Sequence, residues 1–336
     1  MSTQDAVVTT KTAEAKRRVR VAMIGAGQMA NRVHYPSLAS FEDVELAAIC
    51  DLDAGRRDTT GSTYGIESRY ADYRTMIDQI APDAVYSIGP PHLMYDTWVW
   101  CLQQGVNLFV EKPMGLTMHQ SHMLAELADR HGCITQVGFQ RRTTPVTVEM
   151  REACLARGPI SHAVVRFYKN HITPFTGAID HMMDDGTHAI DTLRWICGGE
   201  AVDIQSTVAR RGVPDINVIT ATIQFSTGAT GVLLANWSSG RRTFSIEMHA
   251  PGICAEVDPE GTATLYADGD TAGTARDTTA AAGSDKFFVY GGFQAKSREF
   301  IDAVRNGTQP SSHFADAFKT MGIAHRILAR ATLADS

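Results

Sequence analysis

The chain has 336 residues, of which 44% are hydrophobic and 20% charged, as expected for a globular protein. The formal net charge of −6 argues against nucleic acid as a partner, because phosphate binding requires a basic surface. A single core rarely extends over so many residues, so we expect two domains.

The cysteines and the N-terminal segment do not indicate export. No Cys-x-x-Cys pair occurs, which argues against a zinc site or a disulfide framework and favours reduced thiols in a cytoplasmic protein. The first 15 residues lack the apolar segment of a signal peptide, and we interpret the basic cluster at 16–20 as a solvated leader. No stretch reaches the ~20 apolar residues of a membrane-spanning helix, so we expect no membrane partner.

The first predicted strand (19–24) runs directly into the motif Gly-Ala-Gly-Gln-Met-Ala (25–30). Such a turn needs glycines because the backbone passes close to a pyrophosphate, which then lies against the amides at a helix N-terminus. A second apolar run (44–50) ends at Asp51, 21 residues after Ala30, about where a carboxylate meets the adenosine ribose hydroxyls. This order of elements predicts a dinucleotide site that includes Gly25, Gly27, Gln28, Met29 and Asp51.

Strand-like and helix-like segments continue to alternate as far as residue 140. We predict strands at 83–91, 106–113 and 133–139, and helices at 95–104 and 117–132. Alternation at this pace is typical of βαβ units and a parallel sheet. We therefore assign residues 17–141 to an α/β domain of the doubly wound Rossmann type.

The pattern changes after Arg142, where a helix at 146–157 is followed mainly by strands. These are predicted at 162–170, 201–210, 217–225, 230–238 and 243–250, separated by turn residues that favour a largely antiparallel sheet. Residues 258–285 are interpreted as hairpins with a mobile loop, and 291–333 as helical. The second domain, 142–336, is thus expected to be α+β with an open sheet.

Lys112 is the first candidate for catalysis, because it directly follows a predicted strand of the first domain. Ligands of open α/β sheets bind beyond the carboxyl ends of the strands, which directs Lys112 toward the nicotinamide. A lysine there can donate to a substrate hydroxyl or carbonyl and stabilise developing charge. The alternative is a surface lysine at the end of a strand.

The second candidate group is Asp184, His188 and Asp191, whose spacing of four and three places its helical part on one face. Asp184 or Asp185 is expected to cap this helix. A histidine held by a carboxylate suits acid–base chemistry near neutral pH. The alternative is a structural histidine, and without an evident third ligand we expect no metal.

Several motifs together resemble the glucose–fructose oxidoreductase/inositol dehydrogenase family, and the likeness extends over about 19–335. They are Gly-Ala-Gly-Gln-Met-Ala with Asp51, Ser-Ile-Gly-Pro-Pro (87–91), Glu-Lys-Pro (111–113), Gln-Val-Gly-Phe-Gln-Arg-Arg (136–142) and Asp-x-Gly-x-His-x-x-Asp (184–191). The resemblance implies a Rossmann domain followed by an open-sheet domain that commonly forms homodimers or homotetramers. It also implies sugars, sugar derivatives or inositols as substrates.

Carried over by position, the resemblance makes Lys112 the motif lysine, Asp184 the carboxylate and His188 the acid–base histidine. It adds Pro90, Glu111, Lys112 and Gln140 to the cofactor site. Chain proximity to these motifs suggests further substrate contacts from Arg142, Tyr168, His171 and Asp180. Each of these four residues could equally be structural or exposed.

The sequence departs from the family pattern at Met94, where a histidine is usual, so packing under the cofactor is expected to differ. The aromatic run 95–100 is interpreted as core rather than as a sugar-stacking surface. Asp51 favours NAD over NADP because a carboxylate repels a 2′-phosphate, although Arg56 and Arg57 could tolerate one.

The resulting hypothesis is hydride transfer between a ring hydroxyl and nicotinamide. His188 removes the hydroxyl proton, Lys112 holds the oxygen and Asp184 orients His188. The alternatives are a non-catalytic sensor on the same scaffold, or a redox-neutral enzyme that processes glycosides with bound NAD.

Overall fold

The computed structural model describes residues 17–334, and the predicted leader and N-terminal segment lie largely outside this range. The first sheet has six parallel strands in the order β3-β2-β1-β4-β5-β6. These strands are β1 Val19–Ile24, β2 Val44–Cys50, β3 Arg69–Tyr70, β4 Ala84–Ser87, β5 Leu108–Val110 and β6 Thr135–Val137. The order reverses between β1 and β4, which creates the crevice in which doubly wound folds bind ligands. The predicted Rossmann architecture is confirmed.

Helices alternate with these strands, and three of them begin directly after a residue whose side chain caps the first turn. They are α1 Tyr35–Ala39, α2 Ala54–Tyr64, α3 Tyr73–Ile80, α4 Pro91–Gln103 and α5 Met118–Arg130, and a π-helical turn, Ala30–His34, precedes α1. The side chains of Asp53, Asp72 and Thr117 accept hydrogen bonds from the first turns of α2, α3 and α5. Within α4, Trp98 is buried and donates to Ser87, so the aromatic run contributes to the core.

The second sheet has eight strands in the order β14-β13-β12-β11-β7-β10-β9-β8. Its strands are β7 His162–Asn170, β8 Ala201–Ala209, β9 Val218–Phe225, β10 Thr230–Asn236, β11 Ser238–Ala250, β12 Ile253–Val257, β13 Thr262–Ala267 and β14 Thr274–Asp277. Neighbouring strands are antiparallel except for the parallel pair β7 and β10. This agrees with the predicted, largely antiparallel sheet.

The remaining helices lie beside the second sheet or link it to the first. They are α6 Pro145–Leu155, α7 Thr187–Cys197, α8 Thr278–Ala282, α9 Phe287–Tyr290, α10 Phe293–Asn306 and α11 Phe314–Ala334, with a 3₁₀ turn at Gln140–Thr143 and a π-helical turn at Met182–Gly186. Among the helices described here, none combines the length and apolarity needed to span a membrane.

One local expectation is wrong. Neither Asp184 nor Asp185 caps α7, because the helical path begins earlier, in the π-helical turn, where Asp180 accepts a hydrogen bond of 2.9 Å from the Met183 amide. The hairpin predicted within residues 258–285 is present as the antiparallel pair β13 and β14, and the segment continues into α8, whose N-terminus is capped by Asp277. Segments rich in turn residues can thus carry regular hydrogen bonds to a sheet edge.

The last two helices join the two sheets, although sequence analysis assigns them to the second domain. Phe300 and Ile301 of α10 belong to the core around β1, and Phe314 of α11 packs into the core beside α4 and α5. Farther along α11, Ile327 is part of the second sheet's core. The boundary between 17–141 and 142–336 stays a prediction.

A buried ionic network also crosses this junction. Arg142 is 6% exposed and donates to both oxygens of Asp191 in α7, at 2.7 and 2.5 Å, and to Asp316 of α11 at 2.7 Å. Arg194 donates to the other Asp316 oxygen at 3.0 Å. The network ties the turn after β6 to both α7 and α11, and it neutralises each charge that it buries.

Because Arg142→Ala would leave Asp191 buried without its main partner, we expect the free energy of unfolding to fall by roughly 3–5 kcal/mol. Urea denaturation measures this loss. Arg157→Ala is the control, since Arg157 pairs with Asp268 in an exposed position, and it should leave unfolding nearly unchanged. Equal effects of the two substitutions would contradict the structural importance of the network.

Candidate active site

The glycine turn at the end of β1 has a different requirement at each glycine. Gly25 has φ +107°, and a Cβ there would lie 2.0 Å from the carbonyl oxygen of Ile88, which follows β4. At Gly27 a Cβ would meet no atom within 4 Å. Gly25 therefore permits close approach of the two strands, whereas Gly27 leaves open the space that a pyrophosphate would fill.

Asp51 lies beside this turn and helps to fix it. One carboxylate oxygen accepts from the Ala26 amide at 2.7 Å, and the other accepts from the Asp53 amide at 2.9 Å. Each oxygen keeps a further lone pair with which to accept a ribose hydroxyl. Arg57 donates to the Asp51 carbonyl oxygen, while Arg56, largely exposed, lies 3.5 Å from the Asp53 carboxylate.

A cleft of about 420 Å³ opens between the turn and α7. It is lined by Gly27, Gln28, Met29, Ala30, Arg56, Ile88, Gly89, Pro90, Glu111, Lys112, Gln140 and His188. The lining includes most of the predicted cofactor residues, together with the two main catalytic candidates. Gly25 is not part of the lining and packs against Ile88. Asp51 is not part of the lining either, but its carboxylate accepts a hydrogen bond from the Ala26 amide in the glycine turn.

The departure at Met94 affects the same cleft. A Cβ on Gly89 would lie 2.8 Å from the Met94 sulfur, so this side chain fills the space directly behind Gly89. The Met94 thioether therefore packs against the backbone of Gly89. The expectation that packing under the cofactor differs here stays a prediction.

Lys112 extends from the end of β5 to the second half of the molecule. Its ammonium donates to the backbone carbonyl of Asp184 and lies 3.6 Å from the Asp184 carboxylate. The neighbouring Glu111 accepts from His34 at 2.9 Å, which fixes its carboxylate. The structure thus pairs Asp184 with Lys112, and among the described residues Asp184 accepts no hydrogen bond from His188, so the predicted orientation of His188 by Asp184 is not seen.

His188 lies in the first turn of α7, where its ring lines the cleft and approaches Phe139 to 6.2 Å between centroids. Its Nδ1 is buried without a hydrogen-bond partner among the residues described. Burial lowers the pKa of His188 well below the ordinary value, and the charges of Lys112, Arg141, Lys169 and Arg242 lower it further. The imidazole is therefore neutral at physiological pH and available to accept a proton.

A second group of charges, which sequence analysis missed, surrounds this histidine. Asp185 forms an ion pair of 2.6 Å with Lys169 and accepts from Trp237 at 3.1 Å. Glu260 accepts two hydrogen bonds from Arg242 and one from Arg141. Arg141 lies within the motif 136–142 and Asp185 occupies a variable position of the motif 184–191, and this placement is the signal in the sequence that could have indicated them.

The four suggested substrate residues lie outside the cleft lining. Arg142 is committed to Asp191 and Asp316, so Asp191, which shares the helix face of His188, is engaged elsewhere. Tyr168 follows buried Phe167 and precedes Lys169, so strand alternation directs it to the opposite sheet face. Asp180 lines a separate pocket. His171 contacts His181, which stacks on Trp237 beside Asp185.

No group of three or more His, Cys, Asp or Glu residues suited to a metal ion occurs within residues 17–334. A nicotinamide dinucleotide fits the cleft better, because the space at Gly27 and the Asp51 carboxylate match its pyrophosphate and ribose.

Comparisons with known proteins agree with this geometry. Residues 19–139 match the model of an oxidoreductase family with an NAD-binding Rossmann fold, and residues 172–252 match the GFO/IDH/MocA C-terminal domain. The D-glucoside 3-dehydrogenase of Escherichia coli (strain K12) is 27% identical over 202 residues, which cover 57% of this chain and 58% of that protein. The chain therefore spans somewhat more than half of that relative.

Two further matches extend over nearly the whole chain. The scyllo-inositol 2-dehydrogenase (NAD(+)) of Bacillus subtilis (strain 168) is 25% identical over 88% of this chain and 89% of its own. The crystal structure of a dehydrogenase from Chromobacterium violaceum superposes with a TM-score of 0.86 at 24% identity, covering 95% of this chain and 97% of that one. The structural match supports the fold.

The two glycines provide a matched pair of substitutions. Gly25→Ala should destabilise the protein, because its Cβ cannot avoid the Ile88 backbone. Gly27→Ala should preserve the melting temperature but weaken NADH binding, since its methyl group enters the open space of the cleft. Thermal unfolding and NADH fluorescence titration measure the two effects. A Gly27→Ala protein with unchanged NADH affinity would argue against a pyrophosphate at this turn.

The state of His188 can be measured without turnover, by NMR of ring-labelled histidine with His188→Gln to identify its signal. Burial and nearby cations both disfavour the imidazolium, so the ring should stay neutral at pH 6.5, where an ordinary histidine is about half protonated. Lys112→Met removes a nearby positive charge and should raise the pKa of His188. Titration of His188 at or above the ordinary pKa would contradict this environment.

Proposed function

The chain belongs to the Gfo/Idh/MocA family of oxidoreductases, and we propose that it transfers a hydride between a ring secondary alcohol and a nicotinamide cofactor. The alcohol would belong to a sugar, a sugar derivative or an inositol. The observation that carries the proposal is the shared cleft, which is lined by the glycine turn, by Lys112 from the first sheet and by His188 from α7. The named relatives act on a glucoside and on scyllo-inositol, which favours this substrate class.

NAD is the proposed form of the cofactor. The Asp51 carboxylate at the end of β2 would accept the ribose hydroxyls and repel a 2′-phosphate. Of the two arginines that could tolerate a phosphate, Arg57 is engaged with the Asp51 carbonyl and near Asp58, and Arg56 lies near Asp53. When bound, the nicotinamide supplies the hydride acceptor.

In the oxidative direction, His188 accepts the proton of the substrate hydroxyl. A neutral imidazole is the competent form, and the cations around His188 keep it neutral until the proton arrives. Lys112 donates to the same oxygen and stabilises the negative charge that develops there. Asp184 holds the Lys112 ammonium near the cleft through its backbone carbonyl and its carboxylate. Its proposed role thus becomes the orientation of the lysine.

We also propose a homodimer or homotetramer that uses the sheet face opposite α7. Along β10, Val232 and Leu234 alternate with buried Leu233 and Ala235 and remain partly exposed on that face. On β7, Tyr168 lies on the same side. Apolar and aromatic side chains in an open sheet are well suited to a contact between two copies of the chain.

Lys112→Ala and His188→Ala should each lower turnover by roughly 10²–10⁴ while NADH still binds. The assay follows NADH absorbance across a panel of sugars and inositols, with NAD⁺ and NADP⁺ compared in parallel. Lys319→Ala and His162→Ala are matched controls, because both residues lie outside the cleft lining.

Three outcomes would contradict the proposal. Wild-type turnover in Lys112→Ala or His188→Ala would contradict the catalytic role proposed for that residue. Tight cofactor binding without oxidation of any panel member would favour a sensor. Product formation without net NADH would indicate redox-neutral chemistry.

A further inference from the structure

Arg141 is a buried guanidinium with too few partners. Its side chain is 9% exposed, and its bond to Glu260, at 3.4 Å, uses one of the five N–H donors of an arginine. Its Nε is buried without an acceptor among the described residues. The group lies 3.6 Å from the centroid of the Phe244 ring, which offers a cation–π contact but no hydrogen bond. Buried donors of this kind normally have acceptors, so their absence requires an explanation.

The next residue shows what a satisfied guanidinium looks like in the same environment. Arg142 is equally buried, but two carboxylates surround it and raise its pKa. For Arg141, burial outweighs the attraction of Glu260 and lowers the pKa to about 10. Arg141 thus lacks the close carboxylate partners that neutralise Arg142.

The other three cations near His188 each have a carboxylate partner. Lys112 pairs with Asp184, Lys169 pairs with Asp185 at 2.6 Å, and Arg242 binds both oxygens of Glu260 at 2.8 and 2.9 Å. Arg141 shares Glu260 with Arg242, so among the described residues it hydrogen-bonds to no carboxylate of its own.

Arg141 is not among the residues that line the cleft, but it directly follows one of them. The preceding Gln140 lines the cleft together with Lys112 and His188, and Phe139 contacts the His188 ring. The guanidinium is near enough to His188 to act on it electrostatically. A substrate held between Lys112 and His188 could therefore place a substituent against Arg141.

We propose that Arg141 binds a carboxylate of the substrate, so that the alcohol oxidised in this cleft belongs to a sugar acid. The inference rests on the proposed dehydrogenase function and narrows its substrate class. A carboxylate fits the planar donor fork of arginine and can take two parallel hydrogen bonds. A neutral hydroxyl would accept from the same donors but bring no charge to the guanidinium, which shares Glu260 with Arg242.

The test measures binding to the NADH-loaded protein by calorimetry. The probes are the hexuronates of the gluco, galacto and manno series, their parent hexoses and the corresponding 6-phosphates. The best hexuronate should bind about 10- to 100-fold more tightly than its parent hexose, and its affinity should fall as salt is added. Arg141→Gln should remove most of this preference and leave hexose binding unchanged.

Two further variants separate this role from a structural one. Arg242→Gln frees Glu260 to neutralise Arg141, so it should weaken hexuronate binding although half-exposed Arg242 tolerates replacement. Arg157→Gln removes a surface arginine of the second domain and should change neither affinity. If Arg141→Gln fails to fold, two other results test the proposal. They are the order of wild-type affinities for acid, neutral and phosphorylated sugars, and the loss of hexuronate affinity in Arg242→Gln.

Tighter binding of a hexose or a 6-phosphate than of any hexuronate would overturn the proposal, as would equal losses for acid and neutral ligands in Arg141→Gln. Binding of hexuronates without NADH formation from any substrate would instead contradict the dehydrogenase function and leave the anion site in place. NADH formation from neutral sugars alone would instead support the dehydrogenase function and contradict the carboxylate site at Arg141.

Discussion

The contact between Lys112 and Asp184 is the constraint on which the site depends. It joins the end of β5 to the π-helical turn that leads into α7, so a lysine from one sheet and a histidine from the other half line one cleft. The Arg142–Asp191 ion pair stabilises the same junction, because it links the 3₁₀ turn that contains Gln140 to α7, which contains His188. Any relative movement of the two halves would separate the proposed proton acceptor from the group that stabilises the alkoxide.

Electrostatics gives this junction its chemical character. Cations surround a buried imidazole and oppose its protonation, which keeps it ready to accept a proton and also makes the imidazolium product costly. A negatively charged substrate bound at Arg141 would reduce that cost. The proposed proton transfer and the proposed preference for an acid therefore both depend on the cations near His188.

The sequence allowed prediction of the features that depend on local pattern. The glycine turn, Asp51 and the alternating strands follow from residue spacing, and the Rossmann domain is confirmed. Contacts between distant segments could not be derived in this way. The partner of Asp191 is Arg142, 49 residues earlier, and the partner of Asp185 is Lys169 on β7. The direction of Tyr168 depends on strand register, which composition does not reveal. Arg141 lies within the motif 136–142, but its lack of partners becomes visible only when burial and neighbours are known.

The central claim is that the carbinol hydrogen of the substrate leaves as hydride in this cleft. Turnover of the most active panel substrate, deuterated at its oxidised carbon, tests this directly by mass spectrometry and NMR of the recovered cofactor. We predict one deuterium at C4 of the nicotinamide for each molecule of product, with slower turnover than for the unlabelled substrate. Product accompanied by a cofactor free of deuterium would contradict hydride transfer.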